Sequence, residues 1–568
     1  MATIAADRFQ RPAPPVQHQQ QDGLALTYHR LMLMMLLFVG VTLVIVLRLT
    51  QLQLFTDRSV AAQLANPLLP PRGDIVDRNG VPLARTFDGW TIGIQPQSVI
   101  GDKRDLARRL HELMPQQSAR HYYGLLTDRR RFVYLARSAV PEMVQAVNAL
   151  GEPGIVFNRE PTRLYPQTAL AGHVIGWVGR DGRGASGMEQ ALEARLSDPA
   201  LRGQPVALSI DGRAQAVLET ELANAVTAMN ADGGTGIVLD VRTGEVIAMA
   251  SAPTFNPNAA GQSDANSLYN RATMGVYELG STFKPITVAA AMEARVVTSM
   301  QQRWDASAPI PIGRFRISDD PGHALSRQIT IPELIVHSSN IGTARIADAM
   351  GPERMQAAFR ALGFDQPPVI ELRERTQPLW PRDWGRATVM TSGFGHGLAI
   401  TPLHLASAYA ALVNGGVFRP ATLLKVENGR AVPGRRIYSE QTSYRIRQLL
   451  RLNVQQGTGR RAEAVGFRVG GKTGTGEKAM AGGYNRHLNV STFAAAFPMD
   501  APRYVVVVMM DAPRPTEANS FVTTAAFTAA PIVSQFIARV GPLLNVIPSE
   551  SRDIDTAELM PPPATSEH

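Results

Sequence analysis

The chain contains no cysteine. That excludes a disulfide scaffold, a thiolate zinc site, an iron–sulfur cluster, a cysteine nucleophile and a lipid-modified cysteine anchor. Lysine is scarce as well. Only Lys103, Lys284, Lys425, Lys472 and Lys478 occur, and the other 52 of the 57 basic residues are arginine. Wherever a plain positive charge suffices, this chain uses arginine. A lysine therefore singles out a position where the proton must be able to leave near neutral pH, which arginine cannot do. A basic tract is missing too. The net charge of +9 is spread along the chain, which argues against a nucleic-acid partner. With 45% hydrophobic and 18% charged residues among 568, the bulk of the chain is globular and large enough for several domains.

Residues 1–27 are polar, carry Pro12, Pro14 and Pro15, and read as a disordered tail. Leu31 to Leu47 is an uncharged apolar run flanked by Arg30 and Arg48. At ~1.5 Å per residue it spans about 25 Å, and the flanking arginines can snorkel to the membrane surface. The run is long for a cleaved signal peptide and no small-x-small site follows it closely, so residues 28–52 read as a retained transmembrane anchor. Arg8, Arg11 and Arg30 precede it, which predicts a cytoplasmic N-terminus.

Residues 53–205 are charged and turn-rich and read as a spacer or binding module. Arg72–Ala84 has the pattern strand, Asn-Gly turn, strand, and helices are expected near Lys103–Leu113 and Glu142–Leu150. Asp74 and Asp77 read as arginine partners or turn caps. Residues 206–545 form a second, larger region. Ser209–Ala231 predicts a helix with an aspartate cap, and Gly234–Ser251 predicts a hairpin. A largely helical middle is expected over Ser281–Leu412. Strands are expected at Phe467–Thr475, Ser491–Phe497 and Tyr504–Asp511, with a closing helix over Thr523–Val540. Helices flanking an antiparallel sheet built from both ends of the region make an α+β fold. Residues 546–568 read as a second disordered tail.

Three short motifs carry the chemistry. In Gly280-Ser281-Thr282-Phe283-Lys284-Pro285, a helix is expected to start with Ser281 as its cap. Ser281 and Lys284, three apart, then share one helical face: a nucleophile beside a base. The amine must be neutral to accept a proton. Lowering a lysine from ~10.4 to about 7 costs roughly 4–5 kcal/mol, which burial or a second cation must supply. The second motif is Ser338-Ser339-Asn340, between two helical runs. The third is Lys472-Thr473-Gly474-Thr475 on a strand, offering a cation, two hydroxyls for a carboxylate and a glycine that permits close approach. Lys472 is also the candidate second cation. Gly466–Thr473 matches the P-loop pattern letter for letter. A P-loop needs a helix directly after it, and Gly474–Gly483 cannot start one, so a nucleotide site is rejected.

Alone, each motif is weak. In the order S-x-x-K, S-x-N, K-T-G they are the active-site set of the penicillin-recognising serine enzymes. The chain resembles a class B penicillin-binding protein over most of its length. Arg72–Gly80 (RGDIVDRNG), Arg163–Pro166 (RLYP) and Gly184–Gln190 (GASGMEQ) look like the family's pedestal motifs, and Gly393–Ala406 looks like its glycine-rich segment and Thr-Pro helix start. Tyr277–Pro285, His337–Asn340 and Lys472–Lys478 look most like the division-specific septal transpeptidase of the FtsI type.

The resemblance implies a peptidoglycan D,D-transpeptidase in the inner membrane with its catalytic domain in the periplasm, inhibited covalently by β-lactams. It implies that Ser281 attacks the D-Ala-D-Ala carbonyl of a stem peptide, that Lys284 is the base and that Ser338 relays a proton. Asn340 holds the substrate amide and positions Lys284. Lys472 supplies positive potential. Thr473, Gly474 and Thr475 bind substrate, and the backbone N–H groups of Ser281 and Thr475 form the oxyanion hole. No metal or organic cofactor is implied. The implied partners are an FtsW-type glycan polymerase and other division proteins. An elongation-type transpeptidase and a serine D,D-carboxypeptidase share the motifs; a β-lactam sensor or an inactive scaffold is the non-enzymatic alternative. His396 reads as a structural or solvated histidine, and Tyr484 and Asn485 are placed in a loop at the cleft rim.

Overall fold

The computed structural model describes residues 17–55, 72–313, 315–427, 429–480 and 483–559. The chain divides into two compact units, up to Leu68 and from Leu69. The first is a single helix, α1 (Gln17–Phe55). It includes Arg30–Arg48, of mean hydropathy 2.6, the one helical stretch among the described residues long and apolar enough to cross a membrane. Its leucine, methionine and valine side chains are exposed on all sides, which suits lipid and not water. The helix starts at Gln17, well before the expected anchor boundary at 28, so the polar segment from Gln17 to Thr27 is helical and not a disordered tail. No proline lies between Pro15 and Pro67, and the Gln and Leu flanks are good helix formers that extend the apolar core. Residues 1–16 and 560–568 of the two expected tails lie outside the described residues.

The second unit begins with the pedestal. Strands β1 (Ile75–Val76) and β2 (Pro82–Ile94) pair antiparallel across the expected turn. Asp77 makes that turn: its Oδ1 accepts from the backbone of Asn79 and Val81, both at 2.8 Å, and Gly80 takes φ +85°. Asp77 Oδ2 also accepts from Gly212 N at 3.1 Å, tying the turn to the domain that follows. Helices α2 (Lys103–Leu113), α3 (Ala119–Leu126) and α4 (Pro141–Asn148) pack around β2, β3 (Val133–Ala139) and β4 (Ile155–Leu164) over a core containing Ile92, Leu110, Tyr122 and Leu126. Strand β5 (Val206–Ala207) closes the sheet parallel to β1.

Three of the pedestal motifs meet in one buried ion cluster. Arg72 donates to Glu189 Oε2 at 2.6 Å and to Glu193 at 2.8 Å, and Arg163 donates to Glu189 Oε1 at 2.7 Å. Glu189 is fully buried. RGDIVDRNG, RLYP and GASGMEQ each supply one of these groups, so the separate sequence signatures are one electrostatic joint.

The larger domain is built on a five-stranded antiparallel sheet. Helix α5 (Gly212–Ala228), capped by Asp211, leads into β6 (Gly233–Asp240) and β7 (Val246–Ala252). The other three strands come from the far end of the chain: β10 (Gly470–Met480), β11 (Gly483–Phe497) and β12 (Tyr504–Asp511), in the order β10-β11-β12-β6-β7. Strand β12 is buried on both faces and its side chains alternate. Val506, Val508 and Met510 join the core under α5 and α10 (Ala529–Val540); Val505, Val507 and Met509 join the opposite core with Leu405 and Tyr409. Gly234 and Gly236 let α5 sit close to the sheet, since a β-carbon there would come within 2.9 Å of Leu222 and 2.6 Å of Leu218.

The middle region is less helical than expected. It holds α6 (Lys284–Glu293), α7 (Asn340–Ala361, interrupted at Gly351), α8 (Pro402–Val413) and, beyond it, α9 (Glu440–Gln456). Between α6 and α7 the chain instead forms short strand pairs, among them the hairpin β8 (Ile310–Ile312) with β9 (Phe315–Ile317). The C-terminal segment is also ordered, contrary to the expected tail from 546. Val546, Ile554 and Leu559 are buried, Asp553 pairs with Arg451 of α9 at 2.7 Å, and Gln448 donates to the Asp555 carbonyl at 2.6 Å. Its apolar residues are too widely spaced to form a periodic signal.

Candidate active site

Ser281 does not cap a helix. It lies in a single 3-10 turn, Gly280–Phe283, that feeds directly into α6. The turn is held from several sides. Thr282 Oγ1 donates to the Leu279 carbonyl at 2.9 Å, and Tyr409 Oη of α8 donates to the Thr282 carbonyl at 2.8 Å. Strand β10 passes so close that a β-carbon on Gly474 would come within 2.2 Å of the Leu279 carbonyl. Gly474 is therefore required by the protein's own backbone and, unlike Thr473 and Thr475, does not line the cavity. Gly280 (φ +55°) has Thr475 beside it: a β-carbon there would lie 2.7 Å from the Thr475 carbonyl. Ser281 and Thr475 thus come together at a cavity of about 980 Å³, which both residues line.

Lys284, one helical turn on, is fully buried, and so is Lys472 on β10. Both ammonium groups converge on one hydroxyl. Lys284 Nζ donates to Ser338 Oγ at 3.0 Å and Lys472 Nζ to the same atom at 2.9 Å. Lys284 also donates to the Ser338 carbonyl and to Asn340 Oδ1, the latter at 2.9 Å. Ser338 occupies a left-handed position (φ +57°) at the end of the short helix Ile331–Val336, where glycine is usual. Holding serine there costs about 1–2 kcal/mol. A glycine would relieve that strain and remove the oxygen the two lysines share. The next residue, Ser339, caps α7 through Gly342 N at 3.0 Å.

Burial holds Lys284 well below its ordinary value, and the positive charge of Lys472 pushes the same way; Asp319 opposes both. Burial alone holds Lys472 down to about 7. Both of these lysines thus lose a proton far more readily than an ordinary lysine. The hydroxyls that follow are partnered. Thr473 Oγ1 lies 2.7 Å from Thr458 Oγ1, and Thr475 Oγ1 accepts from Ala525 N at 3.3 Å, which leaves its own O–H to donate into the cavity. The P-loop reading is excluded by the structure: β10 runs on through Met480 where a helix would be needed. Tyr484 and Asn485 belong to β11 by backbone register and not to a rim loop; their side chains lie outside the described residues.

Known proteins share the domain pattern of this chain. A family model for the penicillin binding protein transpeptidase domain matches residues 234–533, and one for the penicillin-binding protein dimerisation domain matches residues 67–204. The chain is 40% identical over 84% of its length to the probable peptidoglycan D,D-transpeptidase FtsI of Caulobacter vibrioides, covering 82% of that protein. To FtsI of Escherichia coli K12 it is 31% identical, over 78% of this chain and 79% of that one. It belongs to the FtsI-type class B penicillin-binding proteins. The crystal structure of penicillin binding protein 3 from Mycobacterium tuberculosis complexed with aztreonam superposes with a TM-score of 0.66 at 26% identity, over 86% of this chain and 99% of that one.

In this penicillin-binding protein the second motif has a support that its sequence does not announce. Asp319, just after β9, accepts from Ser339 Oγ at 2.8 Å and from Ile341 N at 2.9 Å, while Ser318 O accepts from Asn340 Nδ2 at 2.9 Å. One carboxylate and its neighbour therefore fix Ser338 and Asn340 against Lys284. We expect Asp319→Ala to lower the penicillin acylation rate by about 10-fold with little loss of folding stability, because a displaced catalytic group costs rate steeply. Stopped-flow labelling beside a thermal melt checks this; an unchanged rate would remove Asp319 from the site.

Proposed function

We propose that this chain is the septal peptidoglycan D,D-transpeptidase of its cell, working through a Ser281 acyl-enzyme. The observation that carries the reading is the pair of buried lysines sharing the Ser338 hydroxyl beside Ser281. Neutral Lys284 takes the Ser281 proton as Oγ attacks the carbonyl of the penultimate D-alanine. The two backbone N–H groups at Ser281 and Thr475 receive the developing oxyanion, a contribution of ~3–4 kcal/mol per donor in other serine enzymes. Ser338 passes the proton to the departing D-alanine nitrogen. The donor's terminal carboxylate sits against Thr473 and Thr475 in the positive potential of Lys472, and Asn340 holds the donor amide as well as Lys284. An amine of a second stem peptide then takes the acyl group and forms the cross-link. A β-lactam carries a similar carboxylate and a strained amide, so it acylates Ser281 and stays.

This protein is membrane-anchored by the apolar helix near its N-terminus. The arginines before the span support an orientation with the N-terminus in the cytoplasm and the catalytic domain in the periplasm. Cross-linking needs nascent glycan, so an FtsW-type polymerase and the division machinery are the partners of this reading, at the septum.

Fluorescent penicillin tests it. The intact protein should label and Ser281→Ala should not, while both remain folded. Labelling of the variant would remove Ser281 as nucleophile. Incubation with peptidoglycan strands should then yield cross-linked dimers; release of D-alanine alone would make the enzyme a carboxypeptidase.

A further inference from the structure

The end of the sheet that carries the β6–β7 and β11–β12 turns holds a second, smaller cavity of about 190 Å³. Four arginines line it, Arg242, Arg468, Arg503 and Arg552, and no acidic residue does. None of its lining residues borders the cavity that holds Ser281. The four come from separate segments. Arg242 stands in the β6–β7 turn, Arg503 in the β11–β12 turn, Arg468 just before β10 and Arg552 in the C-terminal segment. Backbone bonds lock these segments together: Val241 N donates to the Arg503 carbonyl at 3.0 Å, Met499 N to the Arg468 carbonyl at 3.0 Å and Ser549 N to the Gly466 carbonyl at 2.8 Å.

Like charges brought together repel, so this arrangement calls for counter-charge. Two of the four arginines have one. Arg468 Nε donates to Asp500 Oδ1 at 2.7 Å, and Arg503 Nε to Asp240 Oδ2 at 3.4 Å. Among the described residues Arg242 and Arg552 have no acidic partner, and both are exposed. Arg468 is the fixed floor of the site. It is 3% exposed, and its Nη1 donates to the carbonyls of Gly466 and Ser549 at 2.8 and 2.6 Å. Its Nη2 finds no hydrogen-bond partner among the described residues. Its backbone is left-handed (φ +49°), a conformation usually left to glycine. Beside the arginines Ile547 is 76% exposed, and Pro498 adds a second apolar surface.

We propose that this cavity binds a doubly charged phosphate group, either free phosphate or the phosphomonoester headgroup of a lipid. Two unpaired guanidinium groups match two negative charges, and the planar fork of arginine donates in pairs to phosphate oxygens. A single carboxylate would leave one of the two cations unmatched, and a cationic ligand would be repelled. Ile547 and Pro498 suit the organic part of an ester, which free phosphate lacks. The site lies outside the acylation centre, so the proposal stands independently of the transpeptidase reading.

Isothermal titration calorimetry on the full-length protein in micelles tests this, with inorganic phosphate as the probe and ionic strength held constant with chloride. Phosphate should bind saturably at one site, and acetate more weakly. Arg242→Gln and Arg552→Gln each remove one unpaired charge at an exposed position. Each should weaken phosphate binding by roughly tenfold, and the double variant by about 10²-fold, the usual loss for charge-assisted hydrogen bonds. Penicillin labelling of the variants should match wild type, which shows that they are folded. Micelles containing phosphatidic acid in place of phosphatidylcholine separate the two sources. A lipid ligand fills the site and blocks phosphate in wild type; if the site serves free phosphate, the titration is unchanged. Absence of saturable binding with both probes would overturn the proposal. So would wild-type affinity in the double variant, since phosphate would then bind elsewhere.

Discussion

Lys284→Arg should lower the rate of penicillin acylation by on the order of 10³-fold, within the range general bases contribute. Arginine keeps the positive charge and most of the stem but cannot be deprotonated in a protein. A merely electrostatic Lys284 would tolerate the change; a base cannot. The site is built to make the amine neutral, since burial and the Lys472 charge both act against its proton. The wild-type pH profile should carry the same signature. Below its pKa Lys284 is an ammonium ion and the rate falls with pH; above it the rate levels off, far short of the 10.5 of an ordinary lysine. Stopped-flow labelling across pH, with circular dichroism to confirm folding, decides the matter. A variant within tenfold of wild type would assign the base elsewhere, with Lys472 first in line.

Glu189→Ala should destabilise the protein by about 3–5 kcal/mol, the usual result of removing one partner from a buried ion pair. The loss is greater than one contact because Glu189 serves two arginines, Arg72 and Arg163, and both side chains are 7% exposed. Removing the acid leaves Arg163 without its carboxylate and Arg72 with Glu193 alone. Glu189→Gln should cost less, since an amide oxygen still accepts a hydrogen bond. Chemical denaturation followed by near-ultraviolet circular dichroism measures the difference. Equal stability of the alanine variant would mean that the pedestal joint is held by its other bonds, such as the one the Arg163 guanidinium donates to the Gly73 carbonyl at 2.8 Å.

The three motifs that meet in the fold were legible because each is short and the lysines are few. Strand Tyr504–Asp511 was legible because a run of valines and methionines buried on both faces can do little else. Strand β11 was legible only from Ser491 onward; its first half, Gly483–Val490, is polar and pairs with β10 beyond the motif. The supports of the site left no local trace. Asp319 reaches Ser339 across 20 residues, and Arg72 reaches Glu189 across 117. Single charged residues at such separations carry no periodicity, so nothing in the chain pairs them until it folds. Gly474 was legible as a close approach, but its partner is the turn carrying Ser281 and not a ligand. His396 and Glu278 lie 118 residues apart in the chain and meet only in the fold.

The sheet order has a consequence for how the enzyme is made. Strand β6 pairs with β12, and β10 lies beyond β11 on the same side, so residues 233–240 wait for residues 470–511 before the sheet can close. Lys472 has no strand to sit on until then, and the turn carrying Ser281 has no β10 against it. During synthesis the apolar helix emerges first and the strand carrying Lys472 near the end. For most of its emergence a nascent chain therefore lacks the site, which is assembled only when the final strands dock.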